Sequence, residues 1–337
     1  MATSIRQAVL DKAAGPIRRM HQYAFQGWVR EMPRRKRMVT WAGYLLQGYA
    51  IWALLSRSLV WPLMWPKGIL VYPIAFALYL IGTGLVNGML SSEFVRKTEL
   101  EADQIAARQI QQTLIPGKLP ELPGYVVETF YKPLREVGGD YFDAIDLPGN
   151  RTLFAVADVS GKGMPAALLA ANIQALVRSM ASDAADPLTL ARRINRHLSQ
   201  YTPSDRFATA VFMVLSRDSG ELTYVNAGHN APILAGRGST AALEATGMPL
   251  GLFPEAAYEA RTALLCPGGA LLLFTDGLTD SIPGENAEDR LRDALADSSG
   301  RTMSNLKSLV DKKFNDDDVT ILLVKRDADR ASSGKLA

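Results

Sequence analysis

Two aspartates within one stretch have the setting of metal ligands. In residues 137–169, VGGDYFDAIDLPGNRTLFAVADVSGKGMPAALL, Asp140 follows a Gly-Gly pair and Asp158 ends an apolar run that reads as a buried strand. Carboxylate oxygens at strand mouths, beside glycines that let the backbone come close, suit a hard divalent cation. Two later positions repeat the pattern. Residues 270–275 read as a strand that delivers Asp276 onto Gly277, and Asp316-Asp317-Asp318 stands directly before the apolar run 319–324. Adjacent like charges are costly at a strand mouth unless a cation compensates them. Taken singly, an Asp beside Gly is ordinary turn chemistry and the triple aspartate a solvated loop. Four acidic strand or turn ends together favour the metal.

Other chemistries fit the residue types less well. The single cysteine, Cys266, sits among Leu264, Leu265 and Leu271, with no arginine in the next several positions to hold a phosphate, so it reads as a core thiol. A lone cysteine offers no disulfide framework and points to a reducing compartment. His21, His197 and His229 are far apart and lack zinc spacing. Gly161-Lys-Gly163-Met-Pro-Ala166 imitates the dinucleotide fingerprint, but that motif needs a strand after its helix, ending in an acidic residue about 20 positions on. Here Asp183-Ala-Ala-Asp-Pro opens a second helix instead.

The elements that must position the aspartates are short. β-type runs fall at 125–131, 152–157, 208–215, 222–226, 231–235, 270–275 and 319–324, and helical patterns at 164–182, 187–201 and 301–314. Several strands follow one another without an intervening helix, which predicts an α+β fold with antiparallel sheets flanked by helices. The polar tail 327–337 reads as disordered.

Ahead of this region the composition changes. The net charge of +3 over 337 residues is unevenly placed: segment 1–38 carries Arg6, Lys12, Arg18, Arg19, Arg30, Arg34, Arg35, Lys36 and Arg37 against only Asp11 and Glu31. A nucleic-acid partner could use such a cluster, but its place just before an apolar block points to a membrane surface and to no nucleic acid. Residues 39–90 hold only Arg57 and Lys67 as charges, and 39–55 and 69–90 are each near the roughly 20 apolar residues of a membrane span. Trp61 and Trp65 sit in the turn between them. These features predict a two-helix transmembrane hairpin with both termini cytoplasmic, because basic residues flank both spans on one side. Residues 91–118 read as a helical linker. Val95, Ala102, Ile105, Gln109 and Gln112 keep a loose seven-residue spacing that serves either homodimer pairing or a solvated connector.

The motifs of region 119–326 resemble the SpoIIE/RsbU-type branch of the metal-dependent (type 2C, PPM) serine/threonine protein phosphatases. They are QQTLIP from Gln111, REVGGDYFD from Arg135, ADVSGKG from Ala157, FAT from Phe207, NAGHN from Asn226, PLG from Pro249, TDG from Thr275 and DDVT from Asp317, in the family's order. The resemblance implies a central antiparallel β-sandwich flanked by helices and two divalent cations, Mn²⁺ or Mg²⁺. It implies that Asp140 and Asp158 are shared between the metals, that the Val159 carbonyl is a further ligand, and that Asp276 and Asp317 complete the set. Asp318 matches less well than Asp317. All-oxygen ligation selects hard ions, and two such ions can lower the pKa of a water and orient it for in-line attack on phosphorus. Departures from the family's pattern are Asp280 where Glu is usual, Gly269 where Asp is usual, and a short 281–291 segment without the usual Phe-Gly pair.

The function so implied is a membrane-anchored phosphoserine/phosphothreonine phosphatase, and the resemblance makes the membrane a bacterial inner (cytoplasmic) one. Its implied substrate is a phosphorylated anti-sigma-factor antagonist of the STAS type, in a partner-switching pathway. The linker helix is a candidate switch acting on the Asp140 and Asp158 turns. The alternative is a catalytically silent, membrane-tethered scaffold with a phosphatase fold. For His229 a catalytic role and a turn holding its own backbone are both open, and for Arg135 a phosphate contact and a pairing with Glu136.

Overall fold

The computed structural model describes residues 34–60, 71–116, 119–182, 186–203, 205–236, 238–284, 286–296, 301–310 and 317–328. The basic segment before residue 34, the aromatic turn at 61–67, Asp316 and the tail from 329 lie outside the described residues. The chain forms two compact units, Met1–Ile105 and Ala106–Ala337.

In the first unit, α1 (Arg34–Val60) runs antiparallel to the start of α2 (Val71–Leu114): Lys36 pairs with Glu93, and Gln47 donates to Thr83 at 2.7 Å. The helices touch at glycines. A Cβ on Gly82 would lie 2.6 Å from the Gly43 carbonyl oxygen, so only a residue without a side chain fits there. Glu93 is buried and bound by both Lys36 and Arg96. Trp41, Leu45, Tyr49, Trp52, Phe76 and Leu80 face outward, against the habit of a soluble helix. Among the described residues, one helix is long and apolar enough to cross a membrane, over Pro73–Thr113. The expected hairpin therefore appears as a helix pair of which one member meets that measure.

The second unit is a sandwich. After the last turns of α2 come β1 (Tyr125–Lys132), β2 (Tyr141–Leu147), β3 (Arg151–Val159), α3 (Met164–Met180), α4 (Pro187–Tyr201), β4 (Ala208–Ser216), β5 (Glu221–Ala227), β6 (Ile233–Gly236), β7 (Ser239–Ala242), β8 (Arg261–Leu264), β9 (Ala270–Phe274), α5 (Asp276–Asp280), α6 (Ala287–Ala296), α7 (Thr302–Leu309) and β10 (Val319–Arg326). Two five-stranded sheets form, ordered β1-β10-β9-β6-β7 and β2-β3-β4-β5-β8, and every strand pair is antiparallel. No strand follows α3 and β3 has antiparallel neighbours on both sides, so the dinucleotide topology is absent from the described residues.

Alternation along the strands assigns residues to layers. On β3, Phe154 and Val156 face the space between the sheets, with Val211, Met213, Leu271, Leu273, Leu322 and Val324. Leu153, Ala155 and Ala157 face the other way, against Ile173 and Val177 of α3 and Leu190 and Ile194 of α4. The opposite sheet meets α5 to α7 through Leu272, Phe274, Ile321 and Leu323. Central strands buried on both faces read as continuous apolar runs rather than alternating ones. Sequence periodicity misses β2, whose YFDAIDL carries two aspartates, along with short β7 and β8 and helices α5 and α6.

A polar tie binds α3 to β2. Asp143 is fully buried; it accepts Arg178 Nε at 2.7 Å and Nη2 at 3.1 Å, and the Tyr141 hydroxyl at 3.1 Å. Replacing Arg178 by Met leaves that carboxylate buried without its cation. The expected loss is about 3 kcal/mol, the low end for a broken buried pair because Arg178 is half-exposed. Urea denaturation measures it, and an unchanged midpoint would mean the pair behaves like a surface bridge.

Candidate functional site

One end of the sandwich gathers the aspartates. Asp140 immediately precedes β2, Asp158 is the penultimate residue of β3, Asp276 opens α5 two residues beyond β9, and Asp317 and Asp318 lead into β10. Two of these elements belong to each sheet. The sheets are joined here through Asp140, whose Oδ2 accepts the hydroxyls of Thr275 at 2.8 Å and Thr320 at 2.6 Å. Both threonines are fully buried. Their signal in the sequence was a hydroxyl inside an apolar strand, beside each predicted ligand.

Asp318 performs a different task from its neighbour. Its carboxylate accepts the backbone N–H of Leu134 at 2.7 Å and of Gly139 at 2.6 Å, so it moulds the loop that carries Asp140. Asp317 instead meets the exposed Lys162 at 2.8 Å. Glycines are obligatory where these segments cross: a Cβ on Gly277 would collide with the Asp318 carbonyl, and one on Gly138 with the Tyr131 hydroxyl and the Asp318 carboxylate. The Val159 carbonyl lies beside Gly139, 3.2 Å from where a Cβ would stand.

Burial and mutual repulsion raise the pKa values of Asp140, Asp158 and Asp276. Asp158 is pushed up to about 7 by burial and then by the charges of Asp276, Asp317 and Asp318. Burial and then Asp158 hold Asp140 well above the usual carboxylate value, and burial and then Asp317 raise Asp276. The predicted ligands therefore form one electrostatic cluster. Its floor includes the Tyr131 hydroxyl, buried without a hydrogen-bond partner and raised well above its ordinary pKa by burial and by Asp318 and Asp140.

Five further groups frame the cluster. Gln111, in the last turns of α2, donates Nε2 to the Gly138 carbonyl at 2.7 Å and accepts the Gly138 N–H at 3.0 Å. Arg108 takes Glu136 at 2.7 Å, so Glu136 is not the partner of Arg135. Arg135 is exposed, makes no ion pair among the described residues, and comes within 3.8 Å of a Cβ placed on Gly163. Arg206 donates to the Ser160 carbonyl at 3.1 Å, pinning the turn after Asp158. His229 is buried, its ring 2.7 Å from the Thr209 hydroxyl and 3.1 Å from the Phe274 carbonyl, and burial lowers its pKa to about 4. Cys266 precedes β9, at the opposite end of that strand from Asp276.

The model of the family described as Stage II sporulation protein E (SpoIIE) matches residues 148–327, more than half of the chain. The chain belongs to the SpoIIE family. Asp158, His229, Asp276 and Asp317 fall inside the matched span and Asp140 lies just ahead of it. The phosphoserine phosphatase RsbU of Bacillus subtilis is 28% identical over 184 residues, 54% of this chain and 55% of that protein. The chain spans about half the length of the curated relatives it matches. Among solved structures, the RsbU and RsbW domains of Rv1364c from Mycobacterium tuberculosis match with TM-score 0.57 and 29% identity, over 64% of this chain and 63% of that one. The SiaA-PP2C domain of Pseudomonas aeruginosa matches with TM-score 0.57 and 21% identity, over 68% of this chain and 98% of that one, a likeness of fold. The SpoIIE-family chain thus has the PP2C-type sandwich that its motifs imply.

Type 2C phosphatases are metal-dependent, and the donor chemistry here fits a hard cation. The clustered side chains are carboxylates that raise one another's pKa, and a buried hydroxyl beside them lacks an acceptor. Among the described residues no three ligand side chains already converge as a finished coordination shell. Lys162 on Asp317 and the two threonine hydroxyls on Asp140 account for part of that arrangement.

A pH dependence follows. A carboxylate whose pKa rises on folding stabilises the fold below its unfolded value and loses that contribution as pH climbs through the folded value. For Asp158 the window runs from the ordinary value near 3.8 to about 7. Mn²⁺ or Mg²⁺ is expected to raise the melting temperature more at about pH 7.5 than at about pH 5. Scanning calorimetry checks this, and an equal gain at both would deny that the cluster receives the ion.

Proposed function

We propose that this chain is a membrane-anchored, metal-dependent phosphoserine/phosphothreonine phosphatase. The observation that carries the reading is the convergence of Asp140, Asp158, Asp276 and Asp317 from both sheets at one end of a SpoIIE-family sandwich. Asp140 and Asp158 would hold two divalent cations in common, the Val159 carbonyl would add a ligand, and Asp276 and Asp317 would complete the set. When bound, the ions would supply charge neutralisation and an acidified water for attack on phosphorus.

The chain's own residues would do the rest. Asp318, Thr275 and Thr320 hold the Asp140 carboxylate in one orientation, which removes reorganisation from the reaction. Arg135 offers a guanidinium to phosphate oxygens at the turn 161–163. Lys162 would be released from Asp317 as cations take that carboxylate.

The substrate we infer is a phosphorylated STAS-type anti-sigma-factor antagonist, by likeness to the relative named phosphoserine phosphatase RsbU. We place the chain in a bacterial cytoplasmic membrane with both termini inside and two spans across 39–90. The apolar exterior of α1 and α2 supports membrane contact. Regulation through residues 91–118 is supported by the double hydrogen bond between Gln111 and the Gly138 backbone, two residues from Asp140; we infer pairing of two copies from the seven-residue spacing of that helix alone.

The full-length chain is expected to hydrolyse p-nitrophenyl phosphate and a phosphoserine protein only with Mn²⁺ or Mg²⁺. Asp158→Asn and Asp276→Asn should each lower kcat at least about a hundredfold, the scale for losing a charge-positioning group. Activity that survives both substitutions removes the site, and metal binding without hydrolysis makes the protein a scaffold. Gln111→Ala, which frees the Gly138 loop, should lower kcat about tenfold, the equivalent of about 1.4 kcal/mol for two hydrogen bonds. An unchanged kcat would uncouple the helix from the site.

A further inference from the structure

The two sheets meet mostly through apolar side chains, whose attraction is non-directional and leaves sliding of one sheet over the other weakly restrained. Besides the bonds that the Asp140 loop makes to Thr275, Thr320 and Asp318, a further polar group crosses from sheet to sheet near the aspartates. His229 follows β5 of one sheet and is 5% exposed. Its Nε2 stands 3.1 Å from the Phe274 carbonyl oxygen at the end of β9, in the other sheet. A carbonyl only accepts, so Nε2 carries the proton, and Nδ1 is left to accept the Thr209 hydroxyl at 2.7 Å.

What lies at each end of this bridge gives it its meaning. Thr209 on β4 is the register partner of Asp158 on β3. Phe274 is followed directly by Thr275, which donates to Asp140, and then by Asp276. The imidazole itself cannot drift. Its backbone N–H donates to Asn226 Oδ1 at 2.8 Å, while Asn226 Nδ2 donates to the carbonyls of His229 and Leu243, each at 3.1 Å. Gly228 turns with φ of +70° against Pro249, where a Cβ would lie 2.8 Å from the ring.

We propose that His229 is a positioning residue, a polar bolt between the sheets that sets the spacing of the Asp158 half of the cluster against the Asp276 half. Both ring nitrogens are engaged by protein groups, so the ring is not offered to substrate and does not shuttle a proton. The inference rests on the metal-dependent phosphatase reading for its consequence, and on the hydrogen bonds alone for its mechanics.

The two amide side chains separate the ends of the bolt. In His229→Gln the amide nitrogen falls near the Nε2 position and keeps the bond to Phe274. In His229→Asn the shorter amide reaches only towards Thr209. The experiment on the full-length chain reads hydrogen exchange of the peptide spanning 274–280 and Mn²⁺ affinity by calorimetry, beside the melting temperature. His229→Asn should speed exchange in that peptide and weaken Mn²⁺ binding at least about tenfold, the scale of lost outer contacts around a metal site. It should lower kcat with KM for p-nitrophenyl phosphate little changed. His229→Gln should restore exchange and affinity to within about threefold of wild type.

Exchange unchanged in His229→Asn, or equal damage in both variants, overturns the proposal and leaves His229 as packing. If wild type binds no Mn²⁺ while His229→Asn still frees the 274–280 peptide, the bolt stands and the phosphatase reading falls. Should His229→Asn fail to fold, His229→Met keeps the bulk of the side chain and loses both hydrogen bonds. It should speed exchange in 274–280 where His229→Gln does not; unchanged exchange there counts against the bolt.

Discussion

Repulsion among buried carboxylates is the constraint on which the SpoIIE-family unit depends. Asp140, Asp158, Asp276, Asp317 and Asp318 come together from distant parts of the chain, and burial with the neighbouring charges raises the pKa of Asp140, Asp158, Asp276 and Asp318. Only a rigid frame can hold such a group, and the frame is specific in its polar contacts. Thr275 and Thr320 donate to Asp140, Asp318 accepts from the Asp140 loop, and Gly138 and Gly277 let backbone and carboxylate approach where a side chain would collide. The same repulsion that burdens the fold would be relieved by a divalent cation bound there.

Around this point the layers have separate duties. Helices α3 and α4 on one side and α5 to α7 on the other cover the outer faces of the sheets, so the central strands can be apolar on both sides and their ends can carry charge. The tie of Asp143 to Arg178 locks α3 onto the strand that follows Asp140. Gln111 extends the frame to the last turns of α2. The loop of Asp140 is thus touched from β10 and from a helix whose earlier turns are apolar enough to enter a membrane.

The predicted aspartates were legible because each sits beside a glycine or at the end of an apolar run, both local signals. The order of motifs carried the family. Less legible were β2, whose internal aspartates break its apolar pattern although Asp143 is satisfied by an arginine 35 residues away, and the short strands β7 and β8. The helix reading at 301–314 agrees with α7 over Thr302–Leu309, the part within the described residues. The pairing of Arg135 with Glu136 was a plausible neighbour contact that Arg108 pre-empts from another element.

By itself, then, the amino-acid sequence determined the residue types that can hold a hard cation, the antiparallel α+β plan and the apolar block ahead of it. These rest on periodicity and on near-neighbour chemistry, which a chain carries whether or not it is folded. Tertiary structure alone decided which aspartate of the pair Asp317 and Asp318 shapes the loop and which meets Lys162, which hydroxyls brace Asp140, and that His229 spans the sheets. Those are contacts between residues from about 20 to about 180 positions apart. Their partners are chosen by register and sheet packing, and no local pattern encodes a choice made across the sandwich.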